Sequence, residues 1–523
     1  MSSPHELELK FEVPPASLTS LSRGTFLKSV HSSGRKQANL VSVYFDTKKL
    51  KLRRKAISLR IRRTGRRIVQ TVKHENGHAT FARNEWEHDI GDGHPNLELV
   101  RETPLRSLIT KKLGRQLAPV FETRVRRKVF QITSGESAIE LSIDNGEIDA
   151  GGKTKPICEV ELELKSGQPG DLFRIAKQLA EEVSVQLTIA SKAERGYGLL
   201  TGEKPGPVKA LPVVFTPDAD VQSAFQRIAW TCVHQLIANQ PIMLSGDPDG
   251  LHQMRVAIRR LRAAISLFSE MLTDGQTEIL KSELKWLAGE LGPARELDIF
   301  FKRVLKPVAG GKPNGAGLAT LSRDLRQRRE DASIRAHTAV DSARFRKLVL
   351  DAAAWIEAGD WIKNPDISAC TLREQPIVDV AAKELRRRWK KVLKRGKRLD
   401  ELDAQRRHRL RIQGKKLRYA AEFFATGFSG KKSMLRQKKF VASLERLQDA
   451  LGDLNDIVVH GKLSERFVDA GRGASGSSLG RVEKAFAAGR LSGREEARIG
   501  PALKEAKQAY EAFARRKPFW LSS

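Results

Sequence analysis

The chain has little cysteine, few aromatic residues and no long apolar run, and each shortage closes off a class of protein. Its three cysteines, Cys158, Cys232 and Cys370, stand far apart among 523 residues. A set so sparse and odd supplies neither a disulfide framework nor a cysteine-rich zinc site. No apolar stretch reaches the roughly 20 residues that span a bilayer, so no membrane partner is expected. The opening MSSPHELELK lacks the basic and then apolar segments of a secretory leader, and the expected location is the cytoplasm. Aromatic residues make up 6%, and they do not interleave with the basic runs, which disfavours stacking on bases. Zinc-finger, RNA-recognition and basic-zipper signatures are missing too. Acidic residues are outnumbered, 62 Asp plus Glu against 94 Lys plus Arg, for a formal charge of +32. That excess calls for a polyanionic partner, with nucleic acid bound only nonspecifically through charge.

What is present falls into two halves with different periods. Up to about residue 165, short alternating runs read as strands: Glu6 to Val13, Val41 to Phe45, Ile57 to Arg63, Ile68 to Lys73, Phe81 to Ile90, Ala138 to Asp144 and Ile157 to Lys165. From about residue 216, long runs rich in Ala, Leu, Arg, Lys and Glu follow a helical period. Between them TGEKPGPVKALPVVFTP carries four prolines and little periodicity. The expected domains are therefore 1–200 and 218–523, joined by a linker at 201–217. Residues 1–200 hold 34 basic and 24 acidic side chains, leaving 60 and 38 for the rest. Most of the polyanion signal lies in the helical half.

In a strand, residues two apart share a face. Glu6, Glu8, Lys10 and Glu12 therefore oppose Leu7, Leu9, Phe11 and Val13. Arg60 and Arg62 oppose Leu59 and Ile61, and Glu159, Glu161, Glu163 and Lys165 oppose Val160, Leu162 and Leu164. Glu85 and Glu87 share a face, as do Arg124 and Arg126, while Lys73 and Asp144 end strands. One reading is a sheet with a solvated face. The other is a barrel with a polar lumen whose apolar wall is covered by the amphipathic run Asp171 to Val183. Arg and Lys in such a lumen suit phosphate oxygens, and clustered carboxylates suit Mg²⁺ or Mn²⁺. The chemistry suggested is metal-assisted phosphoryl transfer to water.

ELELK (Glu6 to Lys10), YFDT, LRIRR, TVK, RNEWE, TRVRR, CEVELELK and SKAERGY occur in order over residues 5–198. In that order they resemble the CYTH, or triphosphate tunnel metalloenzyme, superfamily. The resemblance implies an α+β domain built on an eight-stranded antiparallel β-barrel that binds a triphosphate and a divalent metal, Mg²⁺ or Mn²⁺. Carried over by position, it implies Glu6, Glu8, Glu161 and Glu163 as metal ligands. Arg60, Arg62, Lys73, Arg124, Arg126 and Lys192 become the substrate grip. Lys10, Glu85, Glu87 and Asp144 become the catalytic groups, as substrate contact, water positioner or second metal site.

The helical half repeats itself. His252, Arg255, Arg259 and Arg262 stand at the same offsets as His408, Arg411, Lys415 and Arg418. On a helix these offsets cover an arc of roughly 80° and a length of roughly 15 Å. LGPARELD follows the first stripe and LGDLND the second at similar distance. The repeat implies a duplicated helical unit, read as two four-helix units whose stripes face one another. Arg260 and Lys416 are weaker candidates, and RRRWKK (Arg386 to Lys391) is compatible with an exposed helix face. This half resembles the CHAD domain, within residues 216–463, and the resemblance implies polyphosphate binding by the eight stripe residues.

The combined expectation is a hydrolase of inorganic triphosphate with a polyphosphate-binding helical domain, cytoplasmic or associated with polyphosphate granules. The alternatives are a non-catalytic polyphosphate binder, or a CYTH enzyme acting on thiamine triphosphate, an RNA 5′-triphosphate end or ATP.

Overall fold

Alternation in the first strand sets the N-terminal architecture. Leu9 and Phe11 are fully buried while Glu8 and Glu12 keep partial exposure, so one face of the strand seeks a core and the other a polar surface. The computed structural model describes the chain except residues 1–6, 24, 31, 75–83, 102, 108–109, 217, 306–315, 429, 470–477 and 522–523. Strands β1 (Leu7–Glu12), β2 (Ser32–Thr47), β3 (Ile57–Thr64), β4 (Arg67–His74), β5 (Asn84–Asp89), β6 (Leu117–Ser134), β7 (Ser137–Ala150), β8 (Lys153–Ser166) and β9 (Gln186–Leu187) form one antiparallel sheet. Their order is β5-β4-β3-β2-β6-β7-β8-β1-β9. Gly151 and Gly152, both at positive φ, make the two-residue turn that folds β8 back on β7.

The sheet is antiparallel, as expected, but it is not the closed eight-stranded barrel. Among the described residues it has nine strands, and no pairing joins β5 to β9. The physical reason lies at the β1 edge, where β9 is two residues long and pairs only with Phe11 and Glu12. So short a strand cannot carry a continuous ladder.

The apolar face is covered from two sides. Helix α1 (Pro169–Glu182) buries Leu172, Phe173, Ile175, Ala176 and Leu179. A second apolar cluster joins Leu59, Ile61 and Val72 to Val100, Leu105 and Leu113. Helix α2 (Lys192–Thr201) starts in a capping box between Ser191 and Glu194 and ends at Gly202 in the left-handed region. Its Ala193 and Tyr197 join Tyr44, Phe121, Val125 and Ile157 in a third cluster. Gly196 lies where a Cβ would overlap the Phe121 ring, so a glycine is required for α2 to come this close. Tyr197 donates to buried Asp46 at 3.1 Å, and Asp46 also accepts from the backbone N–H groups of Leu52 and Arg53.

By its contacts the chain divides into two units. One is Met1–Leu211 with Val233–Ser245 and Asp341–Asp360; the other is Pro212–Cys232, Gly246–Val340 and Trp361–Ser523. The second unit is helical. It contains α3 (Pro248–Leu267), α4 (Gly275–Phe300), α5 (Ile377–Gly396), α6 (Ala404–Phe423) and α7 (Lys431–Asp469). Helices α3 and α6 are copies in more than their stripes. Each has an aspartate N-cap five residues before its His, Asp247 and Asp403, and a phenylalanine C-cap, Phe268 and Phe424. The two phenylalanine rings pack edge to face at 6.2 Å. Cross-contacts obey the same symmetry. Arg260 of α3 pairs with Glu422 of α6, and Lys416 of α6 donates to Ser266 of α3 at 3.4 Å. Arg260 and Lys416 occupy equivalent positions, as do Glu422 and Ser266. Among the described residues no helix is long and apolar enough to cross a membrane.

Candidate functional site

The polar face of the sheet gathers a dense ion network where β1, β6, β7 and β8 meet α2. Cross-strand register sets it up. Lys10 lies opposite Glu161, Arg127 opposite Asp144, and Asp144 opposite Glu159. Paired residues of an antiparallel ladder share a face, so all of these point the same way. The carboxylates of Asp144, Glu159 and Glu161 each offer an oxygen within 4.8 Å of the others. Asp144 and Glu159 are fully buried.

Four cations answer these three acids. Arg127 makes a two-pronged contact with Asp144 at 2.7 and 2.6 Å and reaches Glu161 at 2.5 Å. The Lys192 ammonium stands 2.9 Å from Asp144 and 3.0 Å from Glu161, and also contacts Glu159. Lys10 approaches Glu161 at 3.2 Å, and Arg195 pairs with Glu159 and reaches Glu12 at 3.7 Å. Burial works against the charge of Glu161, yet Lys192, Lys10 and Arg127 outweigh it and hold its carboxyl well below the usual range. Asp144 is lowered in the same way, by Lys192 and Arg127 against burial. Burial opposes the Lys192 charge as well, and the three carboxylates reverse it, raising its pKa.

A second group occupies β3, β4 and β5. Glu85 sits 2.5 Å from Lys73 and 3.4 Å from Arg60. Glu87 accepts from Thr71 at 2.9 Å and lies 3.6 Å from Arg60. Arg62 is different. It makes no ion pair among the described residues, and its buried Nε has no hydrogen-bond partner. Burial, with the neighbouring guanidiniums of Arg60 and Arg127, pulls it down to about 10. A guanidinium's planar fork of donors matches the oxygens of carboxylate and phosphate.

The structure thus brings Lys10, Asp144, Glu161 and Lys192 together, and places Arg60, Lys73, Glu85 and Glu87 in the neighbouring group. Glu8 is at the margin, 3.9 Å from Lys10, and Glu163 pairs with Lys165 at 2.6 Å. Glu6 lies outside the described residues. Arg124 and Arg126 do not join the acids. Both are exposed, and Arg124 pairs with Glu122, Glu147 and Asp149. The arginine of TRVRR that enters the network is Arg127. Sequence reasoning also missed Glu159 as a potential ligand and Arg195. Arg195 had a readable signal, since it follows Lys192 by three residues and so shares its helix face.

In the helical unit the two stripes also meet. Burial first, then Arg411, Arg259 and Arg418, push Lys415 down to about 7, with Asp456 opposing. Arg259 belongs to α3 and the others to α6, so the stripes share one electrostatic environment. His252 is held down to about 4 by burial and by Arg295 and Arg259. Arg255 lies against Gly292, and Arg411 against Gly452, the glycines of the two LG motifs. His408 contacts Asn455 at 2.7 Å, Arg418 pairs with Glu422 at 3.4 Å, and Arg262 is exposed. Arg295, unmarked in the sequence reading, has a buried Nε without a partner. Arg260 is engaged structurally, with Glu422 and with the Phe423 ring at 4.9 Å.

Comparisons with known proteins find a separate family for each half of the sequence. Residues 4–197 match the model of the CYTH domain and residues 227–464 that of the CHAD domain. An inorganic triphosphatase of Haemophilus influenzae is 31% identical over 205 residues, 38% of this chain and 55% of that protein. The chain therefore spans about half the length of that relative. A Mycobacterium tuberculosis protein described as uncharacterized is 25% identical over 487 residues, 87% of each chain. The crystal structure of a CHAD domain from Ricinus communis is similar with a TM-score of 0.49 and 28% identity, covering 59% of this chain and 98% of that one.

Proposed function

This chain joins a CYTH domain to a CHAD domain, and from that premise we propose that it hydrolyses inorganic triphosphate to pyrophosphate and phosphate with the help of Mg²⁺ or Mn²⁺. The observation that carries the reading is the shared polar face, where three carboxylates converge and where, among the described residues, the Arg62 guanidinium makes no ion pair. The carboxylates fit a hard divalent cation, which takes oxygen ligands and bridges to phosphates. Asp144, Glu159 and Glu161 would hold it, with Glu6, Glu8 and Glu163 as further ligands. When bound, such an ion neutralises phosphate charge and lowers the pKa of its water.

The remaining roles belong to the protein. Arg60, Arg62, Lys73 and Arg127 grip phosphate oxygens, and Arg124 and Arg126 supply charge at the margin. Lys10 and Lys192 contact the substrate, and Glu85 and Glu87 position water. The polar face of the sheet would take the triphosphate, within a domain at 1–200 that the linker at 201–217 joins to a helical domain at 218–523.

That helical domain, two duplicated four-helix units in this reading, binds polyphosphate. Its stripe residues His252, Arg255, Arg259, Arg262, His408, Arg411, Lys415 and Arg418 would track the polymer, and Arg295 joins them. A polyanion relieves the mutual repulsion of these cations without base readout. The protein would act in the cytoplasm, with polyphosphate granules as a natural location. The same basic cluster supports a second reading, a polyphosphate-binding protein without useful turnover.

Phosphate release from tripolyphosphate, with Mg²⁺, with Mn²⁺ and with chelator, separates the two. Multiple metal-dependent turnovers that Glu161→Gln reduces by about a thousandfold are expected of the enzyme. Absence of release from protein that still binds long-chain polyphosphate would leave only the binding reading.

A further inference from the structure

The carboxylate cage is already served by a cation of the chain's own. Lys192 is the first residue of α2, and its ammonium stands among Asp144, Glu159 and Glu161. With Arg127, Arg195 and Lys10 it gives the three acids four cationic partners. The Oε2 of fully buried Glu159 is the oxygen that the Lys192 ammonium contacts. A divalent ion bound to the same oxygens would stand within a few ångströms of the ammonium, where like charges repel strongly at low dielectric. The two cannot share the cage at full occupancy.

We infer that Lys192 is a built-in competitor of the metal, holding the cage until a divalent ion displaces its ammonium and frees it for the substrate's phosphates. The inference rests on the metal reading above. Local architecture makes a side-chain switch feasible without moving the helix. The capping box at Ser191 and the Tyr197–Asp46 hydrogen bond fix the α2 backbone, while the lysine stem is long and rotatable. Metal loading and substrate grip are thereby coupled. Before loading, the Lys192 charge is spent on carboxylates; afterwards it faces anions.

The test is Mn²⁺ binding to the full chain without substrate, read by electron paramagnetic resonance of free Mn²⁺. Lys192→Met is expected to tighten binding by on the order of tenfold or more, while Lys192→Arg keeps a cation in reach and stays near the parent value. Glu161→Gln reports whether the cage is the site at all. If it leaves Mn²⁺ affinity unchanged, the metal reading falls and this inference with it. If it weakens Mn²⁺ but Lys192→Met does not tighten it, competition alone is refuted. A second measurement uses the unaltered protein, so that a misfolded variant does not decide the matter. Acetylation of Lys192, followed by mass spectrometry, should be slow in metal-free protein and rise severalfold with Mn²⁺; equal protection in both states overturns the proposal.

Discussion

At the scale of single residues, the polar face of the sheet separates charges that stabilise from charges that wait. Arg127 is of the first kind. Its guanidinium is three-quarters or more shielded and meets two buried or nearly buried acids. Breaking such a pair from one side costs about 3–5 kcal/mol, so Arg127→Ala should lower the thermal midpoint by many degrees. Arg124→Ala, at a half-exposed site, should leave it nearly unchanged. Arg62 is of the second kind. Arg62→Met removes a shielded charge that makes no ion pair among the described residues, so the midpoint should rise while kcat/KM for tripolyphosphate falls by at least about tenfold. Calorimetry beside a phosphate-release assay checks both; a loss of stability in Arg62→Met would mean the guanidinium has a structural partner.

The same residues show what was legible. ELELK and CEVELELK alternate cleanly, so Lys10 and Glu161 were readable from parity alone. TRVRR was not, because it carries arginine on both parities. Arg124 and Arg126 share parity with Phe130 and Ile132, whose side chains are buried. Phe121 and Val125, on the parity of Arg127, are buried as well, so apolar anchors stand on both parities of this strand. Only the cross-strand register, Arg127 opposite Asp144, selects the arginine that enters the network.

At the scale of elements, the duplicated helices were visible as spacing, but the reason for their glycines was not. Glycine inside a helix costs about 0.5–1 kcal/mol relative to alanine, and both LG motifs accept that cost. In the structure Arg255 and Arg411 lie across these glycines. A Cβ at position 292 would stand 3.3 Å from the Arg255 guanidinium, and one at position 452 would stand 3.5 Å from that of Arg411. The second distance is an ordinary contact. Gly452→Ala should therefore raise stability slightly and leave polyphosphate affinity within about twofold. Gly452→Leu leaves no room for the guanidinium and should weaken binding by about tenfold. In an Arg411→Ala background Gly452→Leu should change nothing further. An equal loss there would show that the leucine acts on the fold and not through the arginine.

At the scale of the whole molecule, the formal charge of +32 is a demand for an anion, and Lys415 gives that demand a pH dependence. The groups facing it are Arg411 and Arg418 from its own helix, Arg259 from α3 and Asp456 from α7. Burial and the three guanidiniums bring Lys415 down to about 7, against about 10.4 in an unfolded chain. Between those values the unfolded state binds more protons than the folded one, so folding stability from this group rises with pH across that window. Below pH 7 the folded protein must carry the crowded charge, and the strain is fully present. Polyphosphate reverses the preference, because its anions favour charged Lys415. Affinity should therefore fall as pH climbs from 7 to 9, with proton uptake on binding. Calorimetry in buffers of different ionisation enthalpy measures that uptake directly. Lys415→Arg, charged throughout, should flatten the profile and abolish this group's uptake. His252, held at about 4, stays neutral in the free protein over that range, so it does not produce the same slope. A pH-independent affinity in the unaltered protein would place Lys415 outside the polymer's path, leaving Arg255, Arg259, Arg295 and Arg411 as the binding surface.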